Sequence, residues 1–75
     1  MKTALIRLKE IKDVYDFVAV VTAYPGDIDI VSGRYRVNAK SIMGIFALDL
    51  TQPLNLEVFG DDPDKALADL KRFII

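Results

Sequence analysis

Within the first 25 residues the spacing of apolar side chains switches from two to between three and four. From Thr3 to Lys9, Ala4, Ile6 and Leu8 fall on one face and Leu5, Arg7 and Lys9 on the other, the pattern of a half-buried strand. From Asp13 onward, Val14, Phe17, Val18 and Val21 stand at i, i+3, i+4 and i+7, the apolar stripe of a helix. Asp13 is expected as its N-cap, and Tyr24-Pro25-Gly26 as its stop. The β-branched residues lower this helix's own propensity, so packing against a neighbouring element has to hold it. A one-sided strand and a one-sided helix in succession restrict the chain to layered α/β arrangements.

The remaining elements narrow the choice. Ile28–Ser32 and Tyr35–Val37 read as two strands joined at Gly33, which accepts a positive φ without steric cost. A short helix follows Ser41. A loop through Thr51-Gln52-Pro53 leads to a fourth strand, Leu54–Phe59, with Leu54, Leu56 and Val58 pointing inward. The closing segment, Asp61–Ile75, reads as a helix with Asp62 as N-cap and Pro63 at its first position. Its expected buried stripe is Leu67, Leu70 and Ile74, with Lys71 and Arg72 near the negative end of its dipole. The order β-α-β-β-α-β-α points to an α+β fold, a four-stranded antiparallel sheet with three helices on one face. With 75 residues the chain forms one domain, near the lower size for independent folding. No cysteine is present, so neither disulfides nor thiolate ligands assist. An apolar content of 52% is enough for a core.

Missing residue types remove whole classes of chemistry. Without His or Cys, a Ser-His-Asp triad, a Cys nucleophile and a His or Cys metal site are excluded. The four glycines are dispersed, so no phosphate-cradling loop is present, and no cofactor or metal is expected. The carboxylate pairs Asp61/Asp62 and Asp27/Asp29 suit turn or cap chemistry and a solvated strand face. The chain reads as a non-enzyme. Ten basic and eleven acidic residues without a block of one sign argue against nucleic acid. No apolar run reaches the length of a membrane span, and the N-terminus lacks the pattern of a signal peptide, so a cytoplasmic protein is expected.

One segment carries a resemblance. "NAKSIMG", Asn38 to Gly44, is similar to the regulatory-serine segment of HPr, the small histidine phosphocarrier of the bacterial sugar phosphotransferase system. The element order also resembles that family's, which implies an HPr-like open-faced β-sandwich. The family's phosphorylatable histidine sits in a segment of the form G-[IL]-H-A-R-P. Here the matching stretch is "KEIKDVYD", and Glu10 stands where the histidine belongs. Lys12 replaces the phosphate-binding arginine and Asp13 the proline. A phosphoryl group on such an imidazole depends on helix-start amides and a neighbouring guanidinium, and Asp13 brings negative charge to that place. Phosphohistidine carrier activity is therefore not expected.

The resemblance gives Ser41 a second role beside helix capping, because it matches the serine that an ATP-dependent kinase phosphorylates in many Gram-positive HPr proteins. A phosphoserine there would add about −1.5 to −2 charges at a helix end that favours anions, and Lys40 is expected to pair with it. Ile42, Ile45 and Phe46 are spaced so that some face the core, while Met43 falls off that stripe. The resemblance implies that Lys40, Ile42, Met43 and Phe46 contribute to a protein-docking surface, for which an adaptable Met is well suited. The leading expectation is a regulatory, protein-binding module whose partner is a kinase, a transcription regulator or a phosphotransferase-system component. Alternatives are a carrier using Glu10 as acceptor and a small-molecule-binding domain of the same fold. Oligomerisation by strand exchange is compatible with its edge strands.

Overall fold

Four strands and three helices alternate as the apolar spacing demands, in a computed structural model that describes residues 1–75. The elements are β1 (Lys2–Ile6), α1 (Ile11–Ala23), β2 (Ile28–Ser32), β3 (Tyr35–Asn38), α2 (Ile42–Phe46), β4 (Leu54–Val58) and α3 (Pro63–Asp69), closed by a 3₁₀ turn at Lys71–Phe73. The strands form one antiparallel sheet in the order β1-β4-β2-β3. Its inner face pairs Ile30 with Val37 and Leu56, and Leu56 with Ala4. Val14, Phe17 and Val21 from α1, Ile45 from α2, and Ala66 and Leu70 around α3 cover that face and complete the core. The opposite face is open, and there Arg36 of β3 reaches across β2 to Asp29 and Glu57 at 3.0 and 2.6 Å.

The hairpin between β2 and β3 turns on Gly33, whose φ of 58° is sterically free only for glycine. A second constraint lies where α1 ends. Tyr24 is buried and its hydroxyl donates to the Phe59 carbonyl just beyond β4. Gly26 passes so close to this contact that a Cβ would lie 2.6 Å from both the Phe59 oxygen and the Tyr24 ring.

Several boundaries differ from the sequence reading. β1 stops at Ile6 rather than Lys9, because its partner β4 begins at Leu54 after Pro53, which has no N–H for a ladder. Leu8 is nevertheless buried, as its spacing predicts. β4 ends at Val58 and not Phe59, and β3 continues to Asn38. The final helix is shorter than expected. After Leu70 the backbone leaves α-geometry and a 3₁₀ turn brings Arg7 N–H to the Phe73 carbonyl (2.9 Å) and Ile75 N–H to the Leu5 carbonyl (2.9 Å). The buried residues are accordingly Ala66, Leu70 and Phe73, while Leu67 and Ile74 are only half-buried. The same contacts occupy part of the outer edge of β1.

Candidate functional site

The start of α1 is organised around Asp13, though not as its N-cap. Glu10, in an extended conformation, is the N-cap, and Asp13 is the third helical residue. The Asp13 carboxylate accepts hydrogen bonds from the backbone N–H of Lys9 (3.1 Å) and of Glu10 (3.2 Å), the reciprocal half of a capping box. The helix thus begins three residues earlier than an Asp13 cap implies, and Ile11 and Lys12 belong to its first turn. From the other end of the chain, Arg72 donates to Asp13 at 3.2 Å and lies 3.5 Å from Asp16. Its guanidinium also stacks on the Phe73 ring at 4.3 Å. Lys12 donates to Asp16 at 2.8 Å, and this bond, with the charges of Lys12 and Arg72, holds the Asp16 carboxyl below the usual carboxylate range. The residues at the would-be carrier site therefore satisfy one another. Glu10 is exposed, Lys12 is turned to Asp16, and Asp13 occupies the amides before the helix.

The second half of the site is α2. Ser41 is exposed and extended, and its Oγ accepts from the Gly44 N–H at 3.2 Å, the capping bond its position implies. Ile45 is buried, Ile42 is half-buried, and Met43 and Phe46 are exposed by 78% and 39%. Lys40 already has a partner in the unmodified chain. Its ammonium does not stand free beside Ser41 but donates to the Tyr24 carbonyl at 2.8 Å.

The structure adds two residues to this face that the sequence reading passed over. Tyr15 meets Phe46 edge-on, with ring centroids 6.1 Å apart, and Ile11 lies one turn earlier on the same side of α1. Both are strongly exposed. Tyr15 falls off the Val14/Phe17/Val21 stripe, as Met43 falls off that of α2. Ile11, three residues before Val14 and seven before Val18, has the spacing of the stripe and is nevertheless exposed in the first turn. Ile11 and Tyr15 on α1 and Met43 and Phe46 on α2, each pair at helical spacing and joined by the Tyr15–Phe46 contact, form an exposed apolar face spanning two helices. Elsewhere, a groove of about 120 Å³ runs between α1 and α3 along Val20, Ala23, Ala66 and Leu70, with Lys65 beside it bonded to Asp69 at 3.1 Å. No group of acidic residues is arranged to hold a metal, and no helix is long and apolar enough to cross a membrane.

Comparison with known proteins decides the family. The family profile described as the PTS HPr component phosphorylation site matches residues 13–75. The chain belongs to the HPr family. HPr-C-His from Thermoanaerobacter tengcongensis is 30% identical, with a TM-score of 0.84 over 96% of this chain and 89% of that one. The phosphocarrier protein HPr from Bacillus anthracis is 28% identical, with a TM-score of 0.77 over 99% and 94%. Crh, the Bacillus subtilis catabolite repression protein described as a domain-swapped dimer, is 25% identical, with a TM-score of 0.68 over 93% and 86%. Comparison with curated protein sequences returned no significant match. HPr membership accounts for the strand order and for the three helices on one face of the sheet. The profile match begins at Asp13, just beyond Glu10, and this HPr-family chain contains no histidine at all.

Proposed function

We propose that this HPr-family protein is a cytoplasmic regulatory module that binds other proteins through the α1–α2 face and does not carry phosphate on a side chain of α1. The observation that carries this reading is the exposed apolar face of Ile11, Tyr15, Met43 and Phe46, set beside a helix start whose amides already serve Asp13. An apolar face on two packed helices is suited to docking a complementary protein surface. A catabolite repression protein is among the similar structures, beside phosphocarriers, and gives the regulatory reading a precedent on this fold. Ser41 is the point of control. It is exposed at the start of α2, the helix that carries Met43 and Phe46, and a phosphoryl group there would change the local charge without requiring α2 to unfold. Against Glu10 as an acceptor stands the surrounding charge. Asp13 and Asp16 lie in the same first turns, and Lys12 and Arg72 are engaged by them.

The test uses two phosphoryl donors. ATP with an HPr kinase is expected to add one phosphate at Ser41, seen by intact mass and absent in Ser41→Ala. Met43→Asp should impair that reaction while leaving the circular dichroism spectrum unchanged. Phosphoenolpyruvate with the first enzyme of the phosphotransferase system should leave no label. An acid-stable, hydroxylamine-labile adduct lost in Glu10→Gln would replace this reading with that of a carrier.

A further inference from the structure

The C-terminal end of α1 depends on a cation that the helix itself lacks. Its last turn holds no basic residue, and Pro25 follows the C-cap Tyr24, so the chain cannot continue as helix. The Tyr24 carbonyl, at the negative end of the dipole, receives the Lys40 ammonium at 2.8 Å. Lys40 is half-buried on the turn between β3 and α2, where its own N–H donates to Asn38 Oδ1 at 2.8 Å. It immediately precedes Ser41. α2 carries no charged residue, and Arg36 on β3 is held by Asp29 and Glu57, while Arg34 lies in the β2–β3 turn, seven residues before Ser41. Lys40 is thus the cation beside Ser41 whose partner is an uncharged carbonyl.

Resting on the reading of Ser41 as a phosphorylation site, we propose that Lys40 is a relay between the start of α2 and the end of α1. In the unmodified protein it ties down the Tyr24 carbonyl. When the γ-phosphoryl of ATP is transferred to Ser41, an Oγ–P bond forms, the bond to ADP breaks and the hydroxyl proton is released. The resulting group carries about −1.5 to −2 charges one residue from Lys40. A lysine on a flexible four-carbon stem exchanges a dipolar partner for an adjacent anion. The Tyr24 carbonyl then loses its ammonium, while the Tyr24 hydroxyl keeps its bond to Phe59. Modification at one helix is thereby felt at the far end of another, at the turn Tyr24–Gly26.

NMR on the full chain tests this. The probes are the Tyr24 carbonyl-carbon shift and amide exchange in the last turn of α1. Lys40→Gln is expected to move the Tyr24 shift and to speed exchange of that turn on the order of threefold to tenfold, the effect of losing one helix-end interaction. Phosphoserine installed at position 41 during translation should reproduce both changes in the wild-type background and add nothing at Tyr24 in Lys40→Gln. Changes confined to residues 41–46 would overturn the relay, as would a silent Lys40→Gln. If a kinase fails to label Ser41 while the installed phosphoserine still moves Tyr24, the relay stands and the reading of Ser41 as a kinase target falls.

Discussion

Replacing Asp13 separates two views of the same residue. As a residue laid over a carrier site, Asp13 is a negative charge standing where a phosphoryl group would be, and its removal should cost little. In the structure it is instead a structural acceptor, with a side chain only 21% exposed that takes two backbone N–H groups and the Arg72 guanidinium. Loss of a helix-start acceptor costs about 1 kcal/mol. The ion pair with a half-exposed Arg72 adds roughly 0.2–1 kcal/mol. Asp13→Ala should therefore destabilise the fold by about 1–2 kcal/mol, lowering Tm by about 5–15 °C for a domain of this size. Asp13→Asn, which keeps an oxygen for the amides, should cost clearly less. Urea unfolding followed by circular dichroism measures both, and a double-mutant cycle with Arg72→Gln isolates the pair. An Asp13→Ala protein within about 0.3 kcal/mol of wild type, the scale of an ordinary surface substitution, would refute the structural role.

Three further outcomes follow from the geometry. Ser41→Ala should cost roughly 1 kcal/mol through loss of the bond from the Gly44 N–H, measured by the same unfolding curves. Gly26→Ala should destabilise by about 1–3 kcal/mol because its Cβ would strike the Phe59 carbonyl and the Tyr24 ring, and changed Tyr24 resonances would locate the damage. The Asp16 carboxyl is depressed chiefly by its bond from Lys12, so its contribution is complete above the unfolded value of about 3.9 and is lost as pH falls through the lower folded value. Asp16→Asn should flatten the fall in stability over that acidic range.

The parts of the fold carried by local periodicity were legible in the sequence. Val14, Phe17 and Val21 are buried as their spacing predicts, as are Leu54, Leu56 and Val58 in β4, and the short α2 begins at Ser41. Boundaries set by distant partners were not. The end of β1 depends on where Pro53 releases β4, and the break after Leu70 depends on hydrogen bonds to Arg7 and Leu5 near the start of the chain. The candidate site divides the same way. Met43 announces itself by falling off an apolar stripe and Tyr15 does so by the same rule, whereas Ile11 has the spacing of the stripe and its exposure is visible only in the structure. Arg72, which pairs with Asp13, and Tyr24, which pairs with Lys40, lie 59 and 16 residues from their partners, and no spacing rule reaches them.

Those two long-range contacts bear on how the α1–α2 face works. α1 receives a cation at each end from elsewhere in the chain: Arg72 engages the acidic residues of its first turns, and Lys40 engages its terminal carbonyl. The first attachment is redundant, because Asp13 also holds two amides and Lys12 shares Asp16 with Arg72. The second is a single hydrogen bond from a flexible side chain beside an exposed hydroxyl. The N-terminal turn, which carries Ile11 and leads into Tyr15 and its contact with Phe46, therefore has several independent attachments. At the C-terminal turn the Tyr24 hydroxyl bond to Phe59 is independent of Lys40, so under the proposed relay a phosphoryl group at Ser41 would release the Tyr24 carbonyl and leave the ring in place.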